Sequence, residues 1–191
     1  MKIGLFFGSF NPIHTGHLIL ANEVLSAAQL DQIWFVVSPQ NPFKQKETLL
    51  ADYHRLNLVK IAIDDNPKFR AIDIEFKLPK PNYTAITLGH LTEAYPTHTF
   101  YLIMGEDNLH SLHKWFNSKY IEEHIQIIVY PRDSSVSEVN TTAKQVLFLD
   151  QMPRLNLSAS EIRQKIKSKQ SIRYLVTEPV LNYIEEMGFY R

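Results

Sequence analysis

The chain has 191 residues, of which 45% are hydrophobic and 21% charged, a composition typical of globular proteins rather than disordered ones. Because Lys+Arg and Asp+Glu each total 20, no net charge attracts the chain to nucleic acid or to an acidic membrane, and any anion site must be built locally. Cysteine is absent, which excludes disulfides, thiolate metal sites and cysteine nucleophiles.

The length fits one domain spanning residues 1–191. The first apolar run, Ile3–Phe7, is too short for a signal peptide, and no stretch approaches the length of a membrane span. We therefore expect a cytoplasmic protein with no membrane and no nucleic-acid partner.

Short apolar runs alternate with amphipathic stretches along the first three quarters of the chain. The runs predict strands at Ile3–Phe7, Ile33–Val37, Phe69–Ile74, Thr99–Met104, Ile125–Tyr130 and Val146–Leu149. Helical spacing predicts helices at Gly16–Ala28, Asp52–Asp64, Thr84–Ala94 and Asp107–Trp115. Several runs are apolar on consecutive residues, as in parallel strands buried on both faces. The pattern predicts a doubly wound, mostly parallel α/β sheet of the Rossmann-like kind.

The last part of the chain predicts helices only. Ser158 and Glu161 have capping-box spacing, with Ser158 as the N-cap. A final helix begins near Thr177, has Pro179 in its first turn and ends at Gly188. We expect these helices to pack beside the carboxyl edge of the sheet, and the polar stretch 131–142 to form a mobile loop.

One motif lies directly between the first strand and the first helix: Gly8-Ser9-Phe10-Asn11-Pro12-Ile13-His14-Thr15-Gly16-His17. In a doubly wound sheet, ligands bind at such carboxyl ends of strands, and a helix N-terminus offers N–H groups and partial positive charge to phosphate. The two glycines allow close approach of the backbone to a ligand. The two histidines can face the same side and, as imidazolium donors, neutralise charge that develops on phosphate oxygens.

Other interpretations of this motif are an ordinary strand–helix turn with two surface histidines and a His-x-x-His metal pair. The metal pair would need a third ligand, and none is evident nearby in the sequence. Neither a Walker A sequence nor a Gly-x-Gly-x-x-Gly fingerprint is present.

The stretch Gly8–His17 resembles the HxGH signature of the nucleotidyltransferase superfamily, and Ser158-Ala159-Ser160-Glu161-Ile162-Arg163 resembles its distal SxTxIR-type element. That superfamily includes pantetheine-phosphate adenylyltransferases and cytidylyltransferases. The whole chain is similar to the bacterial nicotinate-nucleotide adenylyltransferases. This narrower resemblance rests on Pro81-Asn82-Tyr83-Thr84, on Gly105-Glu106-Asp107-Asn108-Leu109 with Trp115, and on Glu178-Pro179-Val180 followed by Gly188-Phe189-Tyr190.

The resemblance implies adenylyl transfer from ATP to nicotinate mononucleotide, with Mg2+ bridging the departing pyrophosphate. His14 and His17 would contact the ATP phosphates and stabilise the transition state, together with Arg163 and Lys44. Other ATP contacts are implied at Gly8, Ser9, Phe10, Gly16, Gly105, Ser158 and Ser160. No general base is needed, because the attacking phosphate monoester is already largely ionised, its second pKa being about 6. We assign no metal ligand to the protein.

For the second substrate, the resemblance implies that Thr84 and Trp115 hold the nicotinate ring, with Phe116 where many relatives carry tyrosine. Asp107 would bind ribose hydroxyls, and Lys44 would meet phosphate. Arg132 matches a family arginine after the fifth strand and would also contact the substrate. Each also has a purely structural interpretation: Thr84 and Asp107 as residues that begin helices, Trp115 as a core residue, and Lys44 as a solvated one. Ser158 likewise could act only as a cap, with Arg163 solvated.

The sequence departs from the family pattern at four places. The common Pro-Pro-His-Lys is replaced by Asn41-Pro42-Phe43-Lys44, so a third phosphate-facing histidine is missing. Phosphate binding in this loop would then depend more on Lys44 and Lys46. Ser160 replaces a threonine but keeps the hydroxyl, Phe116 replaces tyrosine, and Asp133 replaces a proline that often follows Arg132.

Two further functions stay open at this stage. The acceptor could be nicotinamide mononucleotide or phosphopantetheine, or the chain could be a nucleotide-binding regulator that does not turn over. The intact His14, His17 and Arg163 argue against the regulator. The oligomeric state is open.

Overall fold

The computed structural model describes residues 1–39, 49–131, 143, 145–153 and 155–191. In chain order its elements are β1 (Lys2–Gly8), α1 (Thr15–Ala27), β2 (Gln32–Val37), α2 (Asp52–Ala62), β3 (Phe69–Ile72), α3 (Thr84–Ala94), β4 (Thr99–Gly105), α4 (Glu106–Ser111), α5 (Ser118–His124), β5 (Gln126–Tyr130), β6 (Val146–Phe148), α6 (Ala159–Lys167) and α7 (Glu178–Met187). Short 3-10 helices lie at Ile74–Lys77 and Leu112–Lys114.

The six strands form one sheet in the order β3-β2-β1-β4-β5-β6, and every neighbouring pair is parallel. Side chains from each strand enter two apolar clusters, one on each face of the sheet. Phe6 and Phe35 belong to the cluster covered by α1, α2, α6 and α7, whereas Leu5 and Trp34 belong to the cluster covered by α3, α4 and α5. The doubly wound parallel sheet predicted from the consecutive apolar runs is confirmed.

The direction of winding reverses between β1 and β4, the two central strands of the sheet. The paired residues of these two strands end at Phe6 and Ile103, although β1 continues to Gly8 and β4 continues to Gly105. The last two residues of each strand are therefore not paired with the other strand. In open α/β sheets this switch point is where ligands bind.

Three short elements differ from the sequence-based expectation. The strand predicted to reach Ile74 ends at Ile72, because the chain turns into a 3-10 helix that buries Glu75. The helix predicted at Asp107–Trp115 is α4 followed by a 3-10 turn that ends before Trp115. The sequence analysis missed α5, a helix of seven residues that is too short to show clear periodicity.

The late helices lie where the sequence placed them. The N–H of Thr15, at the start of α1, donates to the carbonyl of Leu175 at 2.9 Å, so the segment before α7 packs at the carboxyl edge of β1. Gly188 ends α7 with a φ of 64°, a left-handed conformation that glycine adopts without strain. Among the described residues, no helix is long and apolar enough to cross a bilayer.

Gly4 and Gly89 provide a matched test of this packing. A Cβ at Gly4 in β1 would lie 2.7 Å from Ile33 Cδ1 and Leu30 Cδ1 and 2.8 Å from Ile103 Cδ1, whereas a Cβ at Gly89 in α3 would meet nothing within 4 Å. We expect Gly4→Ala to lower the free energy of unfolding by about 1–3 kcal/mol through overpacking. Gly89→Ala should raise it by about 0.5–1 kcal/mol, because alanine favours the helix.

Urea denaturation of the two variants measures both changes. A Gly4→Ala protein as stable as the parent would contradict the close packing of Leu30, β2 and β4 around this position in β1.

Candidate functional site

The turn between β1 and α1 brings its two histidines into contact. His14 is the N-cap of α1 and is only 6% exposed, while His17 is the third residue of the helix and is partly buried. Their rings stack with centroids 3.7 Å apart and planes inclined by 28°. The prediction that both imidazoles face the same side is confirmed by this contact.

The spacing of the motif has a steric reason at Gly16. A Cβ on Gly16 would lie 3.0 Å from His14 Nδ1 and 3.2 Å from His14 Cε1, which is a tight contact. Leu157, which precedes α6, approaches the same point to 3.7 Å. A side chain at position 16 would therefore displace the His14 ring by a few tenths of an ångström, which favours glycine at this position.

The backbone fixes the hydrogen-bonding state of His17. The N–H of His14 donates to Nδ1 of His17 at 3.2 Å, so Nδ1 is an acceptor and carries no proton. In a neutral imidazole the proton then lies on Nε2, which becomes a donor. The hydrogen bond to Nδ1 thus orients the His17 ring and leaves Nε2 as its other polar atom.

The ring of Phe10 packs against the ring of His17. Its ring is 2% exposed, lies edge-on to His17 with centroids 5.1 Å apart, and fills the space beside Gly8, where a Cβ would lie 2.8 Å from Phe10 Cζ. Phe10 itself has a φ of 44°, a left-handed conformation that is uncommon outside glycine. The side chain of Phe10 is part of the core, so any contact with a ligand would be made by its backbone.

The first turn of α1 offers fewer donors to a ligand than the sequence suggested. The N–H and the hydroxyl of Thr15 both donate to the carbonyl of Leu175, at 2.9 and 3.0 Å. The N–H of His17 donates to the carbonyl of His14. The N–H of Gly16 is the first-turn donor that no described residue accepts.

Arg163 in α6 reaches the same turn. Its Nη1 donates to the backbone carbonyl of Asn11 at 2.8 Å, and its Nη2 donates to Ser160 Oγ at 3.1 Å. Ser158 caps α6 as predicted, since its Oγ accepts the N–H of Glu161 at 3.1 Å. The structure therefore joins the two sequence motifs in one place, at the end of β1.

Sequence reasoning missed Arg55, a fully buried arginine in α2. It donates from Nε to the carbonyl of Leu50, from Nη1 to those of Ser9 and Ser38, and from Nη2 to that of Pro39, and it also forms an ion pair with Asp52. Burial lowers the pKa of Arg55, and Asp52 opposes that shift. The guanidinium thus connects the first turn to both ends of the segment that carries Lys44.

A signal for Arg55 exists in the sequence, although it is a weak one. Arg55, Leu58, Val59 and Ala62 share one helical stripe, and all four are buried. An arginine in an otherwise apolar stripe indicates a buried guanidinium with several acceptors, but it does not say which ones.

The predicted acceptor-side residues gather around the start of α3. Thr84 is its first residue, and the rings of Tyr83 and Phe116 lie 4.7 Å apart, so the Pro81–Thr84 motif and the Trp115–Phe116 pair are neighbours. Phe116 is 53% exposed, whereas Trp115 is partly buried against the core. Trp115 therefore has a packing role in addition to any contact with a ligand.

The buried Glu75 forms hydrogen bonds with two residues around the start of α3. Its carboxylate Oε1 accepts the hydroxyl of Thr87 at 2.7 Å, and its carbonyl accepts Nδ2 of Asn82 at 2.9 Å. Burial raises the pKa of Glu75, and hydrogen bonds from Ser38 and Thr87 oppose that shift. Glu75 thus joins Asn82 and Thr87, which lie on either side of Thr84.

The remaining predicted positions fall into two groups. Gly105 ends β4, as Gly8 ends the neighbouring β1, and Asp107 lies exposed in the first turn of α4. Lys44 and Arg132 lie outside the described residues, as do Phe43 and Lys46. Within the described part of the chain, no group of three or more His, Asp or Glu side chains is arranged to hold a metal ion.

Comparison with known proteins gives concordant results. Residues 5–165 match the cytidylyltransferase-like family. A probable nicotinate-nucleotide adenylyltransferase of Flavobacterium psychrophilum is 50% identical over 192 aligned positions, with 100% of both chains covered. The nicotinate-nucleotide adenylyltransferase of Bacillus subtilis is 38% identical, with 99% of this chain and 98% of the relative covered.

Among solved structures, the nicotinic acid mononucleotide adenylyltransferase of Plasmodium falciparum, complexed with NaAD, has a TM-score of 0.82. It is 20% identical, with 99% of this chain and 97% of that chain covered. At this identity the likeness shows a shared fold.

The state of His17 is directly measurable. Because Nδ1 accepts the His14 N–H, we expect long-range 1H–15N spectra at neutral pH to show the His17 proton on Nε2 alone. His90, at an exposed position on α3, is the control for the assignment of the spectra. A proton on Nδ1 of His17 would contradict the hydrogen bond that orients the ring.

Proposed function

We propose that this chain, which belongs to the cytidylyltransferase-like family and within it to the nicotinate-nucleotide adenylyltransferases, transfers the AMP moiety of ATP to nicotinate mononucleotide. The products are deamido-NAD and pyrophosphate. The observation that carries the proposal is the contact of Arg163 with the turn that holds His14 and His17, at the carboxyl end of β1.

In this proposal, the donors of the turn receive the phosphates of ATP. His17 Nε2 and the N–H of Gly16 face developing charge from one side, and the guanidinium of Arg163 supplies positive charge from the other. A phosphate oxygen of nicotinate mononucleotide attacks the α-phosphorus, and the bond from that phosphorus to the oxygen bridging to the β-phosphate breaks. The electron pair of the broken bond leaves with pyrophosphate.

The chemistry needs alignment and charge stabilisation rather than a general base. A phosphate monoester has a second pKa of about 6 and is largely a dianion at neutral pH. Preorganised donors aimed at developing charge give the largest single contribution to many enzymatic rates. The stacked His14 and the hydrogen bond from its N–H hold His17 in place before substrate arrives, which is the preorganisation required.

The second substrate is assigned to the region where α3 begins. The contact between Tyr83 and Phe116 supports a ring-binding surface there, with Thr84 and Trp115 beside it. Asp107 is proposed for the ribose hydroxyls. Lys44 is proposed for phosphate, and Arg132 for contact with the substrate, on the basis of the family motif alone.

Mg2+ is proposed as a companion of ATP. The side chains at the turn are imidazole and guanidinium groups, which suit phosphate oxygens, and Mg2+ prefers oxygen ligands. The ion would therefore be held by phosphate oxygens and water, where it neutralises charge on the departing pyrophosphate. We further propose a cytoplasmic enzyme whose partners are these small molecules and not nucleic acid.

Removal of the His17 imidazole tests the catalytic assignment. We expect His17→Ala to lower kcat with ATP and nicotinate mononucleotide by about 100-fold or more, since loss of one preorganised donor typically has that effect. The KM values should change less, because the donor acts mainly on the transition state. His90→Ala, at an exposed position on α3, should retain parental turnover.

Release of pyrophosphate in single-turnover and steady-state assays measures this effect. Near-normal turnover by His17→Ala would rule out its role, and absence of turnover in the parent protein would favour a nucleotide-binding regulator.

Competition between the mononucleotides of nicotinate and nicotinamide tests the acceptor. We expect kcat/KM to favour the acid by at least roughly 100-fold, because donors placed for a carboxylate are left unpaired by an amide. The two compounds are supplied together at equal concentration and the products separated by chromatography. Equal use of both, or preference for the amide, would contradict the proposed acceptor.

A further inference from the structure

We propose that Tyr190 is a positioning residue for the transfer reaction, acting through Asn11 on the turn that carries His14 and His17. The hydroxyl of Tyr190 donates to Oδ1 of Asn11 at 2.9 Å, across 179 positions of the sequence. The expected effect on kcat rests on the proposed function. The link between Tyr190 and the turn is measured separately, by hydrogen exchange.

Asn11 is the point at which three separate segments meet the turn. Its side chain is almost fully buried, being 4% exposed, and its Oδ1 accepts the N–H of Leu50 at 3.1 Å in addition to the hydroxyl of Tyr190. Its backbone carbonyl accepts Nη1 of Arg163. The orientation of Asn11 therefore determines how α6 and the entry to α2 are placed relative to His14, three residues further on.

Tyr190 is itself held firmly by the segment after α7. The N–H of Phe189 donates to the carbonyl of Ile184 at 3.1 Å, and Tyr190 takes a left-handed φ of 65° directly after it. The Phe189 ring contacts both His54 and Tyr183, with centroid distances of 4.6 and 5.6 Å. This packing directs the Tyr190 hydroxyl back towards the end of β1.

The surroundings keep the Tyr190 hydroxyl a donor. Burial raises the pKa of Tyr190, and the positive charges of Arg163 and Arg55 oppose that rise without cancelling it. The phenol therefore retains its proton at neutral pH. Because Asn11 Oδ1 has no proton to give, this hydrogen bond runs in one direction only.

Loss of this bond should affect chemistry more than binding. The turn would keep its sequence and its donors, but the placement of His14, His17 and Asn11 relative to Arg163 would be less strictly fixed. Misplacement of catalytic groups by about 1 Å lowers rates by as much as 100-fold, because alignment contributes much of the barrier reduction. We expect Tyr190→Phe to lower kcat by about tenfold with little change in KM for ATP.

Tyr183 provides a matched control within the same segment. Its hydroxyl lies 2.9 Å from Nδ1 of His54, so it also joins the end of the chain to α2, but it does not contact the turn. Tyr183→Phe removes one partly buried hydroxyl hydrogen bond from the packing around Phe189. We expect it to shift the thermal midpoint about as much as Tyr190→Phe while leaving kcat at the parental value.

The experiment measures kcat, KM and amide hydrogen exchange for the parent, Tyr190→Phe and Tyr183→Phe proteins. The diagnostic amide is that of Leu50, which donates to Asn11 Oδ1 and should exchange faster in Tyr190→Phe alone. Parental kcat in Tyr190→Phe, equal loss of kcat in both variants, or unchanged exchange at Leu50 would each overturn the inference. If the parent protein fails to turn over ATP and nicotinate mononucleotide, the proposed function falls, and the Leu50 amide still decides whether Tyr190 holds the turn.

Discussion

The contact on which the site depends is the hydrogen bond from Arg163 to the carbonyl of Asn11, which joins groups 152 positions apart in the sequence. Without it, the turn after β1 would present two stacked histidines and one helix N-terminus, which is a weak anion site. With it, α6 adds a fixed positive charge beside the turn. Ser160 holds the other arm of the guanidinium, so the charge is placed before any ligand arrives. The pairing of β1 with β4 ends at Phe6 and Ile103, before the turn begins.

Two further buried residues, Arg55 and Asn11, hold the loops around this contact in place. Arg55 carries a buried charge, which is stable only because its N–H groups find acceptors at Ser9, Ser38, Pro39 and Leu50 together with the carboxylate of Asp52. Those acceptors belong to the turn after β1, the end of β2 and the entry to α2, so one guanidinium fixes three loops. Asn11 also joins separate segments, because its side chain accepts hydrogen bonds from Leu50 and Tyr190 and its carbonyl accepts one from Arg163. The site is thus a set of short loops held by buried polar groups, whereas the apolar clusters hold only the elements that these loops connect.

Much of this arrangement could be predicted from the sequence. Consecutive apolar runs such as Ile33–Val37 indicated buried parallel strands, and the position of the His14–His17 motif after the first of them placed the site at the carboxyl edge. Ser158 indicated the start of α6, and Gly188 the end of α7. The contacts of Arg55 and Tyr190 could not be predicted, because their partners are backbone carbonyls or distant side chains that leave no local pattern. The hydrogen bond that orients the His17 ring could not be predicted either, since its donor is an N–H of the backbone. Short elements such as α5 lack the length over which periodicity can be read.

The most direct test of the account is a crystal structure of the protein with Mg2+ and a non-hydrolysable analogue of ATP. The account predicts a triphosphate between the Gly8–His17 turn and Arg163, with His17 Nε2 within hydrogen-bonding distance of a phosphate oxygen. A nucleotide bound elsewhere, or a triphosphate that contacts neither Arg163 nor His17, would contradict this prediction.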